Sequence, residues 1–138
     1  MEAGQAFFQV IRLALCRNAS LTGKVVSSSI SVSLQQAPTV YPAIRLRVSG
    51  RKGRNLPSMF EGNLYIGIYS NNTSPTGELA TIYGIVKGLI DEKQATLYTS
   101  HIGIARIWED FCSYPLYQEE TGKYFLTARY GFVASHKD

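Results

Sequence analysis

The stretch NLYIGIYSNNTSPTGELATIYGIVKGLIDE, residues 63–92, constrains the fold of this chain more than any other. Leu64, Ile66 and Ile68 alternate with Asn63, Tyr65, Gly67 and Tyr69, the two-residue period of a strand with one buried face. A turn cluster, Ser70-Asn71-Asn72-Thr73-Ser74, separates this strand from a helix that carries its own start signals. Ser74 can cap, Pro75 sits where a missing N–H costs nothing, and Glu78 lies in the first turn, where the helix dipole favours an anion. Leu79, Ile82, Tyr83, Val86, Leu89 and Ile90 then recur at the spacing of one buried helical face. Gly84 and Gly88 weaken that helix, so the spacing predicts a sheet packed closely against them. The unit is a strand feeding a helix that lies back on its own sheet. It contains nothing reactive.

A chain of 138 residues is one domain, long enough to bury roughly 65–70% of the surface its unfolded form exposes. No apolar run approaches membrane-spanning length. The N-terminal stretch MEAGQAFFQVIRLALCRNA is amphipathic and lacks a basic leader, so it reads as a helix of the mature protein over residues 3–16. Phe7, Val10, Ile11 and Ala14 form its stripe, flanked by Phe8 and Leu15. Two cysteines, Cys16 and Cys112, are too few for a disulfide framework, which makes a reducing compartment the default.

Residues 24–34 read as a half-exposed antiparallel strand, with Ile30, Val32 and Leu34 alternating against serines. Residues 40–48 are a second strand whose inner face is Ile44, Leu46 and Val48 and whose outer face carries Arg45 and Arg47. Pro42 places it at a sheet edge or delays the start of its pairing. Residues 49–60, SGRKGRNLPSMF, are too polar and broken for a core and read as a flexible basic loop. Residues 101–111 are a strand whose alternation fails at Arg106 and Ile107, so either both faces are partly covered or a bulge resets the register. Ser113-Tyr114-Pro115 and residues 119–122 are turns, and residues 123–134 are the longest strand. The order predicts an α+β fold: one largely antiparallel, possibly mixed, sheet of about five strands with two helices on one face.

The search for chemistry is mostly negative. His101 and His136 have no ligand spacing to a cysteine or carboxylate. His101 and Cys112 bracket one strand and stand roughly 30 Å apart along it. Glu109 and Asp110, as strand neighbours, point to opposite faces and cannot form an acid/base couple. Ser74-Pro75-Thr76-Gly77 lacks both the spacing and the lysine of a phosphate loop. No catalytic, cofactor or metal site is expected.

The net charge of +4 conceals a division. Between residues 3 and 60 there are eight basic residues and no acidic one; from Glu61 onward nine acidic residues face six basic ones. Such asymmetry suits nucleic acid, or a subunit whose one side meets the opposite side of a copy. The interface candidates are therefore Arg45, Arg47, Arg51, Lys52 and Arg54, with Leu56, Met59 and Phe60 beside them. Tyr65 and Tyr69, on the outer face of their strand, complete the set. A solvated edge and a mobile loop would explain the same cations.

Three patterned segments together carry a family resemblance: P-x-I-x-L-x-V at residues 42–48, G-x-L-x-I-x-I-Y-S at 62–70, and Y-F-x-x-A-R-Y-x-F-x-A at 124–134. With the variable loop and long helix between them, the chain from about residue 5 to 134 resembles the tail terminator, or tail completion, proteins of long-tailed bacteriophages. Gene-transfer-agent and tailocin-like particles use the same part. The resemblance implies a non-enzymatic virion subunit of the tail or neck, assembled in the host cytoplasm, in a ring that is hexameric. Its partners would be its own copies, the tail tube protein and the head–tail connector or stopper, with DNA passing through the lumen and no membrane or cofactor involved. A tail-tube or head-completion subunit of similar build is an alternative, as is a small nucleic-acid-binding module using the basic loop.

Overall fold

The computed structural model describes residues 2–32, 40–52, 59–70, 75–120 and 122–136. Its elements are helices α1 (Ala3–Cys16), α2 (Ala19–Thr22) and α3 (Pro75–Ile90), and strands β1 (Ile30–Val32), β2 (Ala43–Lys52), β3 (Met59–Ser70), β4 (Ile102–Cys112), β5 (Leu116–Gln118) and β6 (Lys123–His136). The strands form one mixed sheet in the order β1-β2-β3-β6-β4, with β5 also paired to β6. Only β1 and β2 are parallel. The α+β class with one sheet is therefore observed, with six strands and a third, four-residue helix.

The central position falls to β6, the last strand of the chain. It pairs with β3 along its whole described length on one side and with β4 and β5 on the other. Helix α3 crosses from β3 to β4 over β6, a split β-α-β unit. Alternate residues of the strands, among them Leu46, Leu64, Ile66, Tyr130 and Phe132, form a buried layer beneath both long helices. Phe7 of α1 stacks on Phe132 with ring centroids 3.8 Å apart. From α3, Leu79, Ile82, Tyr83, Val86 and Ile90 enter the same layer, while Leu89 on its flank is half-buried.

Helix α3 begins at Pro75, the position read from the sequence, and Ser74 as a cap lies outside the described residues. Glu78 accepts a hydrogen bond from Ser70 Oγ at 2.7 Å, tying the end of β3 to the first turn of the helix. The glycines differ from expectation. Gly84 and Gly88 face away from the sheet, and a Cβ at either would meet no atom within 4 Å. Helix packing is carried by the stripe of Leu79, Ile82, Tyr83, Val86 and Ile90 and not by the glycines.

Of the antiparallel strand expected over residues 24–34, residues 33 and 34 lie outside the described residues, and residues 24–32 do not form it. They form a 3-10 turn, Ser27–Ser29, followed by the short parallel strand β1. Arg12 of α1 donates to the carbonyls of Ile30 (3.0 Å) and Ser27 (3.2 Å), drawing this segment to the helix and out of a longer ladder. Strand β2 is interior, and its pairing starts at Ala43, directly after Pro42, which removes no ladder donor there. In β4 the ladder slips between Ile104 and Arg106, a bulge that returns Ile107 to the core face.

Two substitutions test this layering in urea melts. Val86→Ala, which empties space beneath α3, should lose about 1–3 kcal/mol. Gly84→Ala, on the open side of the same helix, should gain about 0.5–1 kcal/mol. An equal loss from both would place the glycine face against the sheet after all.

Candidate assembly interface

Both long helices cover one face of the sheet, so the other face is formed by the alternate residues alone. Arg45, Arg47 and Arg51 of β2, Glu61, Tyr65 and Tyr69 of β3, Phe125 and Arg129 of β6, and Arg106 and Trp108 of β4 stand there in register. These side chains lie down on the sheet and on each other. The Arg47 guanidinium rests over the Tyr65 ring at 4.3 Å, and Arg106 over Trp108 at 5.0 Å. Tyr69 stacks on Phe125 with centroids 5.9 Å apart. Trp108 covers Gly131, where a Cβ would come within 2.3 Å of the indole; only glycine admits the ring. A groove of about 490 Å³ opens between Arg51, Asn63, Trp108 and Val133.

The segment read as a flexible loop over residues 49–60 is narrower. Ser49, Gly50, Arg51 and Lys52 pair with Asn63, Gly62, Glu61 and Phe60, so both flanks belong to a hairpin. Arg51 and Glu61, opposed across the strands, approach to 3.6 Å. Phe60 is not a surface anchor: it is buried, lies 5.4 Å from Phe132 and fills the space a Cβ on Gly50 would need. Met59 is half-buried, Arg47, Arg51 and Lys52 are exposed, and Arg54 and Leu56 fall outside the described residues. Arg45 is half-buried and donates to Ser31 Oγ.

The carboxylates of the C-terminal half are largely used within the subunit. Glu92 pairs with Arg106 (3.6 Å), Glu109 with Lys87 (3.4 Å) and Asp110 with Arg129 (2.7 Å). Glu109 and Asp110 do point to opposite faces. Glu109 also accepts from the Tyr83 hydroxyl, whose oxygen lies 2.7 Å from that of Tyr130. With the Tyr83 hydroxyl hydrogen directed at Glu109, Tyr130 is the donor of that second bond. Burial, and then the hydrogen bond to Glu109, push the Tyr83 phenol far up; burial raises Tyr130 as well. Both stay neutral, and the cluster ties α3 to β4 and β6.

His101 precedes β4 and Cys112 ends it, so the strand holds them at opposite ends. Among the described residues no group of three histidines, cysteines or carboxylates could hold a metal. None of their helices is long and apolar enough to cross a membrane. Sequence reading missed a cluster at the β4–β5 corner: Phe111, Tyr114, Leu116 and Tyr117 are all exposed. The signal was present in the run Tyr114-Pro115-Leu116-Tyr117, apolar residues in a segment that looked like a turn.

A chain of a solved particle described as "Virion of native gene transfer agent (GTA) particle" is similar to this one from end to end. The superposition covers 98% of this chain and 99% of that one, with a TM-score of 0.73 and 11% sequence identity. At that identity, the likeness is one of fold. No family model matches the chain, and no curated protein does.

Burial, followed by the charge of Glu109, raises the Cys112 thiol above its ordinary range. Less thiolate is then present at pH 8, so alkylation of Cys112 should be slower than that of a small free thiol and should accelerate on denaturation. Mass-spectrometric timing of iodoacetamide labelling measures this; a fast-reacting Cys112 would mean an open, electropositive site.

Proposed function

We propose that this chain is a structural virion protein, a subunit of a homo-oligomeric ring of the tail-terminator kind. Six copies would sit on the last ring of a phage-like tail tube, end its growth and present a surface to the head connector, with DNA passing through the lumen. The observation that carries this is the match to a chain of a gene-transfer-agent particle. Because it spans nearly all of both chains, the whole arrangement of six strands and two long helices is alike, not a common β-α unit within it. The sequence resemblance to tail terminators points the same way. The outer face fits a contact role too, since arginines and aromatic rings lie flat on it and concentrate at protein interfaces.

The tip of the β2–β3 hairpin is the contact arm in this arrangement. Its root is held by the full width of the sheet, with Met59 opposite Ser135 and Ile102 opposite His136. Arg51 and Lys52 end β2 and are exposed, and Arg54 follows them. Ordering such a tip against a tube costs about 1–2 kcal/mol per residue, so apolar contacts through Leu56 and Met59 must accompany the charges.

Adding the purified protein to polymerising tail tubes tests the function by electron microscopy. Capped tubes of arrested length are expected; incorporation along the tube would identify a tube subunit instead, and no effect would overturn both. Replacing Arg51, Lys52 and Arg54 together by Glu should leave the melting temperature nearly unchanged, because the Arg51–Glu61 pair is exposed and contributes little. Docking onto tubes should fail. Normal docking by this variant would remove the arm from the account.

A further inference from the structure

Eight large apolar side chains are exposed among the described residues, and four of them, Phe111, Tyr114, Leu116 and Tyr117, fall within seven residues. Tyr114 is 88% exposed. Directly after them come Glu119 and Glu120, exposed and without an ion-pair partner among the described residues. Elsewhere on this half of the chain Glu92, Glu109 and Asp110 are each neutralised by a cation at home. The β4–β5 corner is thus apolar and carries net negative charge.

Across the sheet, the β1–β2 side has the complementary character. Val26 and Val40, just ahead of β1 and β2, are exposed. Lys24 beside them and Arg47 on β2 are exposed cations with no ion-paired carboxylate among the described residues. The two patches occupy opposite sides of the sheet, with β3 and β6 between them. They also lie at the same end of it: Leu116 pairs with Phe125, Phe125 with Tyr69, and Tyr69 with Ala43 at the start of β2.

We infer that the corner over residues 111–120 docks on the β1–β2 side of a second copy of this chain, head to tail. A two-fold contact of the corner with itself would set Glu119 and Glu120 against like charges, whereas a head-to-tail contact sets them against Lys24 and Arg47. Tyr114 and Leu116 supply the apolar anchors against Val26 and Val40. Leu116 and the start of β2 at Ala43 stand at one level along the strands, and a head-to-tail contact of this kind makes a ring where its rotation closes. This deepens the ring assignment above and rests on it.

The test is sedimentation of the purified full chain over a wide concentration series, with folding followed by circular dichroism. The pair Glu119→Lys with Glu120→Lys, and separately Lys24→Glu with Arg47→Glu, should each weaken self-association about ten-fold or more. All four changes in one chain should restore it to near the original strength. Tyr114→Ala with Leu116→Ala should also weaken association, and the charge changes should not rescue it. Self-association that ignores the reversals, or reversals that are not rescued when combined, would overturn the inference. Tubes capped by rings that ignore the reversals would overturn it while leaving the ring function intact. Reversal-sensitive self-association with no effect on tubes would do the opposite. A wild-type chain that is monomeric at every concentration and on tubes would remove both.

Discussion

The stack of Phe7 on Phe132 joins the first helix to the last strand, and most of the domain depends on that junction. Strand β6 is flanked on both sides, so β3, β4 and β5 have no common sheet without it. Helix α1 stacks Phe7 on it while also packing on β1, β2 and β4, and α3 is fastened above it by Tyr83, Tyr130 and Glu109. The sheet is therefore incomplete until the C-terminal residues arrive. Pairing of this kind spans most of the chain and forms more slowly than local contacts do. The burial that stabilises the domain, with Phe7, Ile11, Tyr130 and Phe132 in one layer, is correspondingly all-or-none.

An open sheet carries two edges that can recruit other chains, and both are blunted here. At one side β1 has three residues, and the Arg12 guanidinium occupies the carbonyls of Ile30 and Ser27. At the other, the segment after α3 lies along β4. The Glu92 N–H donates to the Ile107 carbonyl, Asp91 Oδ1 accepts from the Glu109 N–H, and Tyr98 bridges to Gly103. Simple strand addition is obstructed along β4 and where β1 covers Ile44–Leu46, while β2 beyond Leu46 has no outer partner strand among the described residues. Contacts at these covered edges would use side chains, which is where unneutralised charge and exposed rings are found.

Much of this fold is legible in the sequence because its signals are local. The alternation of Leu64, Ile66 and Ile68, the 3-and-4 spacing of Leu79, Ile82, Val86 and Ile90, and Pro75 at the helix start each report one element, and each is observed. The broken alternation at Arg106 left a bulge or a strand covered on both faces as alternatives, and the bulge is observed. What failed was decided at a distance. The segment at β1, which pairs parallel to β2, is held to α1 by Arg12, eighteen residues from Ile30. Phe60 looked like the end of a loop because the glycine it covers, Gly50, sits across a hairpin whose pairing no single strand reveals. Gly84 and Gly88 looked like packing positions, although helical phase puts them on the outer side, and only the placement of the sheet shows that nothing fills the space there. Arg45, Arg47, Tyr65 and Tyr69 were placed on the outer face by parity alone, and stand there.

The charge division in the sequence changes meaning once the chain is folded. Nine acidic residues after position 60 suggest an acidic half, yet the salt bridges of Glu61, Glu92, Glu109 and Asp110 neutralise most of what the sheet exposes on that side. The basic half has no such internal supply of carboxylates. Among the described residues Arg51 alone of its cations finds one, at an exposed site, while Lys24, Arg47 and Lys52 have no ion pair there. Unneutralised charge therefore survives as a broad basic side around β1 and β2 and a small acidic corner at Glu119 and Glu120. A broad patch can meet more than one surface, whereas the corner is large enough for one contact. In the proposed ring that inequality would separate two roles: the corner is suited to a neighbouring copy, and the surplus cations at the hairpin to whatever lies beneath.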